Sequence, residues 1–281
     1  MIITVANHKG GVAKTSTVLA IAEIIHWFQE NDREALPEEY REKPVLVIDI
    51  DPQANATEAL GVDPADVKIS VQHFLEAPEK TQELITSRYA ILKTRFKNIH
   101  LIPTSISTEP FVHRLAGEMD GAMRLSLVLN QLIDQYPLML IDTPPNLGLF
   151  TQNALVAADG VLVPISLSKH AIMGIQNLMA VIASARRFRM SCLPELIGYL
   201  IVGLDKRYKL HQSLEVVVRQ TFGSDVFESV IPTQAKWAEN VNKRRPIFYG
   251  LTTEQKDDWF SFIRELFERT EKITLAKEKA V

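Results

Sequence analysis

A glycine pair placed between an apolar run and a long apolar-periodic segment constrains this chain more than any other feature. Ile2-Ile3-Thr4-Val5-Ala6 reads as a buried strand, Asn7 through Ser16 (Asn-His-Lys-Gly-Gly-Val-Ala-Lys-Thr-Ser) as a turn, and Thr17 to Phe28 as a helix. A glycine turn at a strand-to-helix junction lets backbone N–H groups converge on phosphate at a helix N-terminus. The general phosphate-loop pattern G-x-x-x-x-G-K-[ST] is not met, because His8 and Ala13 stand where its glycines belong. Lys14-Thr15 still sits at the junction, Gly10-Gly11 permits positive φ and close backbone approach, and Lys9 supplies a second cation. The methyl of Ala13 argues against positive φ at that position. On this segment alone, a plain glycine turn with two surface lysines stays open.

Apolar runs at 2–6, 45–49, 99–103, 138–142, 160–165, 197–204 and 227–231 predict buried parallel strands. Helical periodicity is clearest at 15–29, 122–135, 170–187, 211–221 and 253–271. Alternating strand and helix implies an α/β fold: a doubly wound, mostly parallel sheet flanked by helices. Without a linker or repeat, residues 1–281 read as one domain. In such sheets ligands sit beyond the carboxyl ends of strands, and Asn7, Asp49, Asp51 and Asp142 all fall there. Residues 30–44 form an acidic insertion, read as a solvated helix extension and loop, with a partner-binding insert as the alternative. Residues 272–281 read as a flexible tail.

Composition excludes several classes. A single cysteine, Cys192, rules out a disulfide framework or a cysteine metal cluster and fits a reducing cytoplasm. No run approaches the roughly 18 apolar residues of a membrane span, and the strand beginning at Ile2 leaves no room for a signal peptide. With a net charge of −3, any affinity for nucleic acid must come from a local patch. Trp237, Trp259, Phe260, Phe262, Ile263, Leu266 and Phe267 read as core-facing helix residues.

Further segments share a pattern with the first. Lys9-Gly10-Gly11-x-x-Lys14-Thr15, the strand-terminal Asp49-Ile50-Asp51-Pro52-Gln53-Ala54-Asn55, and Ile141-Asp142-Thr143-Pro144-Pro145 ending a third apolar strand occur in that order. Ile231-Pro232 through Glu239 to Pro246-Ile247 follows late in the chain. Together they resemble the ParA/MinD family of dimeric ATPases with a deviant phosphate loop. The resemblance implies ATP and Mg²⁺ as cofactors. It places Gly10, Gly11, Val12, Ala13, Lys14, Thr15, Ser16 and Pro232 at the nucleotide, Lys14 on the β- and γ-phosphates, and Thr15 directly on magnesium. Asp142 would join the metal shell through water, and Asp49 would lie near the metal or the switch structure. Asp51 would orient the attacking water; a metal-binding pair of Asp49 and Asp51 is the alternative. Lys9 would cross a two-fold interface to the partner subunit's nucleotide, so that a homodimer depends on ATP.

Arg207 and Lys236 fall where several ParA-type proteins carry DNA-contacting basic residues, and Lys243, Arg244 and Arg245 extend the patch. Basic ends of solvated helices are the alternative. The function so implied is ATP-dependent dimerisation on nonspecific double-stranded DNA, with a ParB-like adaptor stimulating hydrolysis to position a cargo in the cytoplasm, on the nucleoid. That cargo would be a plasmid, a chromosome region or a protein assembly such as a carboxysome. Two alternatives are a MinD-like membrane-cycling ATPase and an ATP-dependent metabolic enzyme of the same fold. For the first, residues 270–281 offer only Ile273, Leu275 and Val281 as large apolar groups, too few for an anchor.

Overall fold

The computed structural model describes residues 1–105, 111, 115, 117, 118, 120–167, 194–243 and 245–278. The predicted helix 170–187, Cys192 and Arg244 lie outside them. Eight strands form one sheet: β1 (Ile2–Val5), β2 (Val45–Asp49), β3 (Leu92–Lys93), β4 (Ile99–Ile102), β5 (Met139–Asp142), β6 (Gly160–Ser166), β7 (Glu195–Leu204) and β8 (Val226–Pro232). Their order is β3-β4-β2-β5-β1-β6-β7-β8, and every pairing is parallel except that of β3 with β4.

Alternation along the central strands explains the layers. Ile3 and Val5 of β1 join Val45 and Val47 of β2 and Leu140 of β5 on one face. There they pack on helix α1 (Lys14–Asn31) and on Trp259, Phe262, Ile263 and Leu266 of the C-terminal helix. Ile2, Leu46, Ile48, Met139 and Ile141 point to the opposite face. They meet α3 (Val71–Glu76), α5 (Arg124–Asn130) and α6 (Leu149–Ala157). Strands apolar on both faces are what a doubly covered parallel sheet requires. The other α-helices among the described residues are α2 (Asn55–Ala59), α4 (Thr81–Leu84), α7 (Lys209–Phe222), α8 (Ala235–Asn242) and α9 (Thr253–Glu278).

Polar side chains tie the elements at their ends. Asp159 accepts from the Ile2 amide at 2.7 Å and starts β1 beside β6. Buried Asn153 of α6 accepts from the Leu125 amide at 3.0 Å and donates to the Gly121 carbonyl at 2.7 Å, locking α5 against α6. Of residues 272–281, expected as a flexible tail, 272–278 continue α9 instead, with Ile273 buried in the core, and 279–281 lie outside the described residues. The insertion is only partly solvated, since Leu36 and Tyr40 are buried in the same core.

Glu23 of α1 is buried and accepts the Ile247 amide at 2.7 Å through Oε2, clasping the segment after α8 to the phosphate-loop helix. Burial pushes its carboxyl from 4.5 up to about 8, against the Ile247 and Phe248 amides and Arg95. The folded state therefore holds a proton that the unfolded chain releases, so the contribution of Glu23 to stability falls as pH rises from about 5 to about 8. Urea unfolding of Glu23→Gln across that range is expected to show a flatter pH dependence than the parent.

Candidate nucleotide site

The site is built where β1, β2 and β5 end together. Parallel register sets Val5 beside Asp142 and Asp49 beside Asp142, so three strand ends deliver the loop and two carboxylates to one rim. Beyond β1, Asn7 donates to the Pro164 carbonyl at 2.7 Å and accepts the Lys9 amide at 3.0 Å, anchoring the turn to β6. Lys14 Nζ donates to the Lys9 carbonyl at 3.1 Å, so the loop closes on its own lysine. Helix α1 starts without a side-chain cap. Its first amides are left for an external acceptor, and its dipole favours an anion there.

Ala13 corrects one expectation. Its φ is +62°, in the left-handed region the methyl was expected to exclude, and Gly11 sits at +70°. The turn demands it: the Ala13 carbonyl accepts both the amide and the hydroxyl of Thr17, at 2.8 and 2.7 Å, and so opens the helix. The strain falls where the general pattern has glycine. Ala54, at +56°, does the same ahead of α2.

The cleft, about 500 Å³, is walled on one side by Gly10, Gly11, Val12, Ala13, Lys14, Thr15 and Ser16. Asp51, Gln53, Asn55, Glu58, Ala59 and Pro145 complete it. The Thr15 hydroxyl donates to Asp142 Oδ2 at 2.7 Å. Asp142 Oδ1 is buried with no hydrogen-bond partner. Burial, then Asp49, raises the Asp142 carboxyl well above the usual range. A hydroxyl beside an unsatisfied carboxylate oxygen fits Mg²⁺, which keeps most of its water and takes one or two protein carboxylates plus phosphate. Among the described residues no three His, Cys, Asp or Glu side chains form a metal cage.

Asp49 holds the loop that follows β2. It does not line the cleft, and both its oxygens are engaged: Oδ1 by the Asp51 amide at 3.1 Å, Oδ2 by the amide and hydroxyl of Thr57 at 2.8 and 2.7 Å. Complete burial pushes its carboxyl up to about 7 against these bonds. Strand alternation turns Asp49 inward, so it shapes the 51–57 loop and leaves the cleft to Asp51. Asp51 is itself nearly buried, with Oδ1 accepting the Gln53 amide at 3.0 Å. Burial raises its carboxyl and lowers the Lys14 ammonium, while the two attract each other.

Lys9 is half-buried at the turn, with its backbone held at both N–H and C=O. Pro232 ends β8 on the same rim of the sheet but does not line the cleft. Gln53, Asn55, Glu58, Ala59 and Pro145 were not expected in the site. The Asp-Pro-Gln-x-Asn and Asp-Thr-Pro-Pro runs carried a signal for Gln53, Asn55 and Pro145, whereas nothing marked Glu58.

The basic residues occupy the loops after β7 and β8, which are joined by Thr233 donating its amide to Leu204 and its hydroxyl to Gly203. Arg207 is exposed and pairs with Asp205 at 2.6 Å. Lys243 pairs with Glu239 at 2.7 Å, and the Arg245 guanidinium lies 5.4 Å over the Tyr249 ring. Lys236 is half-buried on α8.

A family model described as an AAA domain matches residues 1–192. The chain is 33% identical to the chromosome-partitioning ATPase Soj of Thermus thermophilus over 237 residues, 84% of this chain and 83% of that one. It is 30% identical to the sporulation initiation inhibitor protein Soj of Bacillus subtilis over 246 residues, 88% and 89% of the two chains. A structure of cobyrinic acid a,c-diamide synthase from Mycobacterium smegmatis, with ATP analog and magnesium bound, superposes with a TM-score of 0.75. It is 23% identical and covers 96% of this chain and 95% of that one.

Three substitutions at two positions test this geometry in urea. Ala13→Gly is expected to leave the unfolding midpoint equal or higher, while Ala13→Val lowers stability by about 1–2 kcal/mol through left-handed strain. Thr57→Val leaves a buried Asp49 oxygen short of a donor and is expected to cost about 1–3 kcal/mol.

Proposed function

Because the chain belongs to the ParA/MinD family of P-loop ATPases, we propose that it is a Mg²⁺-dependent partition-type ATPase. It binds ATP, dimerises, and holds nonspecific double-stranded DNA in that state. Hydrolysis stimulated by a ParB-like adaptor then releases the dimer, so that a plasmid, chromosome region or protein assembly is positioned on the nucleoid. One observation carries the ATPase reading: uncapped loop amides, Lys14, Thr15 and Asp51 line one cleft, and Asp142 lies buried behind it, bonded to the Thr15 hydroxyl. The partition role is supported by the relatives at 30–33% identity; the diamide synthase shares the fold alone.

In this reading Lys14 exchanges the Lys9 carbonyl for β- and γ-phosphate oxygens, and the amides from Gly11 to Ser16 take the rest. Thr15, directly, and Asp142, through water, would hold Mg²⁺, which neutralises charge on the phosphates. Asp51, steadied by the Gln53 amide, orients the attacking water. Phosphoryl transfer asks mainly for such positioning and charge neutralisation. Lys9 reaches the partner subunit's nucleotide and so couples dimerisation to ATP. Arg207, Lys236, Lys243 and Arg245, with Arg244, contact phosphates, Arg207 and Lys243 exchanging Asp205 and Glu239 for DNA.

Ile273 is buried in the core, and no described helix is long and apolar enough to cross a membrane.

The test is binding to random-sequence duplex DNA with ATP, ADP or neither, at two salt concentrations. Tight, salt-sensitive binding with ATP alone is expected; none under any condition would overturn the DNA-coating role. Lys14→Ala is expected to abolish nucleotide binding. Asp51→Ala should keep ATP binding and lose about 10²-fold or more in turnover. Arg207→Glu with Lys236→Glu should keep the ATPase and lose DNA affinity, with the salt slope reduced by roughly one per contact removed.

A further inference from the structure

A second concavity lies far from the nucleotide. It is a groove of about 530 Å³ between the 34–40 part of the insertion and the last turns of α9. Helix α1 has 18 residues, so its C-terminal end, from which the insertion springs, lies about 27 Å from the phosphate loop.

The groove is preorganised. Gln29 Nε2 donates to the carbonyls of Tyr40 and Lys43 at 2.6 and 2.9 Å. Arg41 Nε donates to the Leu36 carbonyl at 2.9 Å, and the Tyr40 ring stacks on Phe267 at 5.3 Å. Leu36, Pro37, Tyr40 and Phe267 give it an apolar floor, and Leu275 at its end is 47% exposed.

Its rim is acidic. Glu34 and Glu39 line one side, Glu268 and Glu271 the other, all four exposed. Among the described residues none of these carboxylates forms an ion pair, whereas nearby Glu42 is paired with Arg33 and Glu265 with Arg269. Arg264 is the one cation in the lining. Four unpaired carboxylates around an apolar floor repel anionic lipid and nucleic acid and complement cations carried on an apolar stem.

We propose that this groove docks a basic amphipathic segment of a partner protein, apolar residues on the Leu36–Phe267 floor and Lys or Arg on the glutamate rim. The α9 wall from Arg264 to Leu275 is about 16 Å long, which suits a helix of about three turns. The interaction weakens as salt shortens the reach of the rim charges. The proposal is independent of the partition reading, since the groove shares no residue with the nucleotide cleft.

The probe is a fluorescein-labelled 12-residue synthetic peptide, about three turns long, of helical Leu/Lys pattern, titrated with the full chain and read by anisotropy. The same peptide with Glu in place of Lys is the control. Reversing the rim with Glu39→Lys and Glu268→Lys is expected to raise the Kd about tenfold or more. Reversing two exposed glutamates elsewhere, Glu79→Lys with Glu83→Lys, is expected to leave it within about twofold, because those charges lie outside the groove. ATP binding by both double variants is expected to match the parent and serves as the check on folding. Failure of the basic peptide to bind, equal binding of the acidic peptide, or equal losses in the two variants would each overturn the proposal. Self-association abolished by the rim variant, with no peptide bound, would assign the groove to a second copy and overturn it as well.

Discussion

The parallel insertion of β5 between β1 and β2 is the constraint on which the site depends. It sets Asp142 in register with both Val5 and Asp49, so a loop and two carboxylates from segments far apart in sequence leave the sheet at one point. Hydrogen bonds across the same junction hold it, with the Thr143 hydroxyl donating to the Val5 carbonyl at 2.8 Å. A slip of one residue in β5 would turn Asp142 to the other face of the sheet and separate it from Thr15.

Crowding follows from that register. Asp49, Asp51 and Asp142 share a poorly hydrated corner with the single ammonium of Lys14, and burial shifts all four toward their neutral forms. The chain meets this cost unevenly. Asp49 has donors at both oxygens, Asp51 has one backbone donor, and Asp142 keeps one oxygen without a partner. That gradient separates a carboxylate that holds a loop from Asp51, which lines the cleft, and from Asp142, buried behind Thr15 with one oxygen unmet. A corner with unmet acceptors, an uncapped helix and a loop folded over its own lysine is organised around an anion with its cation.

Helix α1 carries this organisation into the rest of the molecule. Its N-terminus forms the phosphate loop, Glu23 at mid-length clasps the segment beyond α8, and Gln29 near its end fixes the insertion. Three regions are thereby attached to one rigid element. The insertion, which in sequence looks like an acidic loop, contributes Leu36 and Tyr40 to the main core and leaves its glutamates facing a groove.

The strands were legible because a doubly covered sheet needs runs apolar on both faces, and seven such runs stand out in the sequence. The phosphate loop was legible for a similar reason: glycine and lysine at a strand-to-helix junction carry their own geometry. Lys14, Thr15 and Asp51 line the cleft, and Asp142 bonds the Thr15 hydroxyl behind it. Two-residue β3 and the short helices α2, α3 and α4 left no periodicity to read. What only the tertiary structure decided was direction and partnership. The turn forces Ala13 to positive φ despite its methyl, and the strand pleat turns Asp49 inward to Thr57 while Asp51 faces the cleft. The buried face of Ile273 keeps a polar C-terminus helical. Sequence by itself determined the strand, glycine turn and helix that set Lys14 and Thr15 at one junction and roughly where strands end, since burial and local backbone preference act over a few neighbours. Which carboxylate holds a loop and which faces the cleft depends on contacts between strands nearly a hundred residues apart, and those exist only once the sheet has closed.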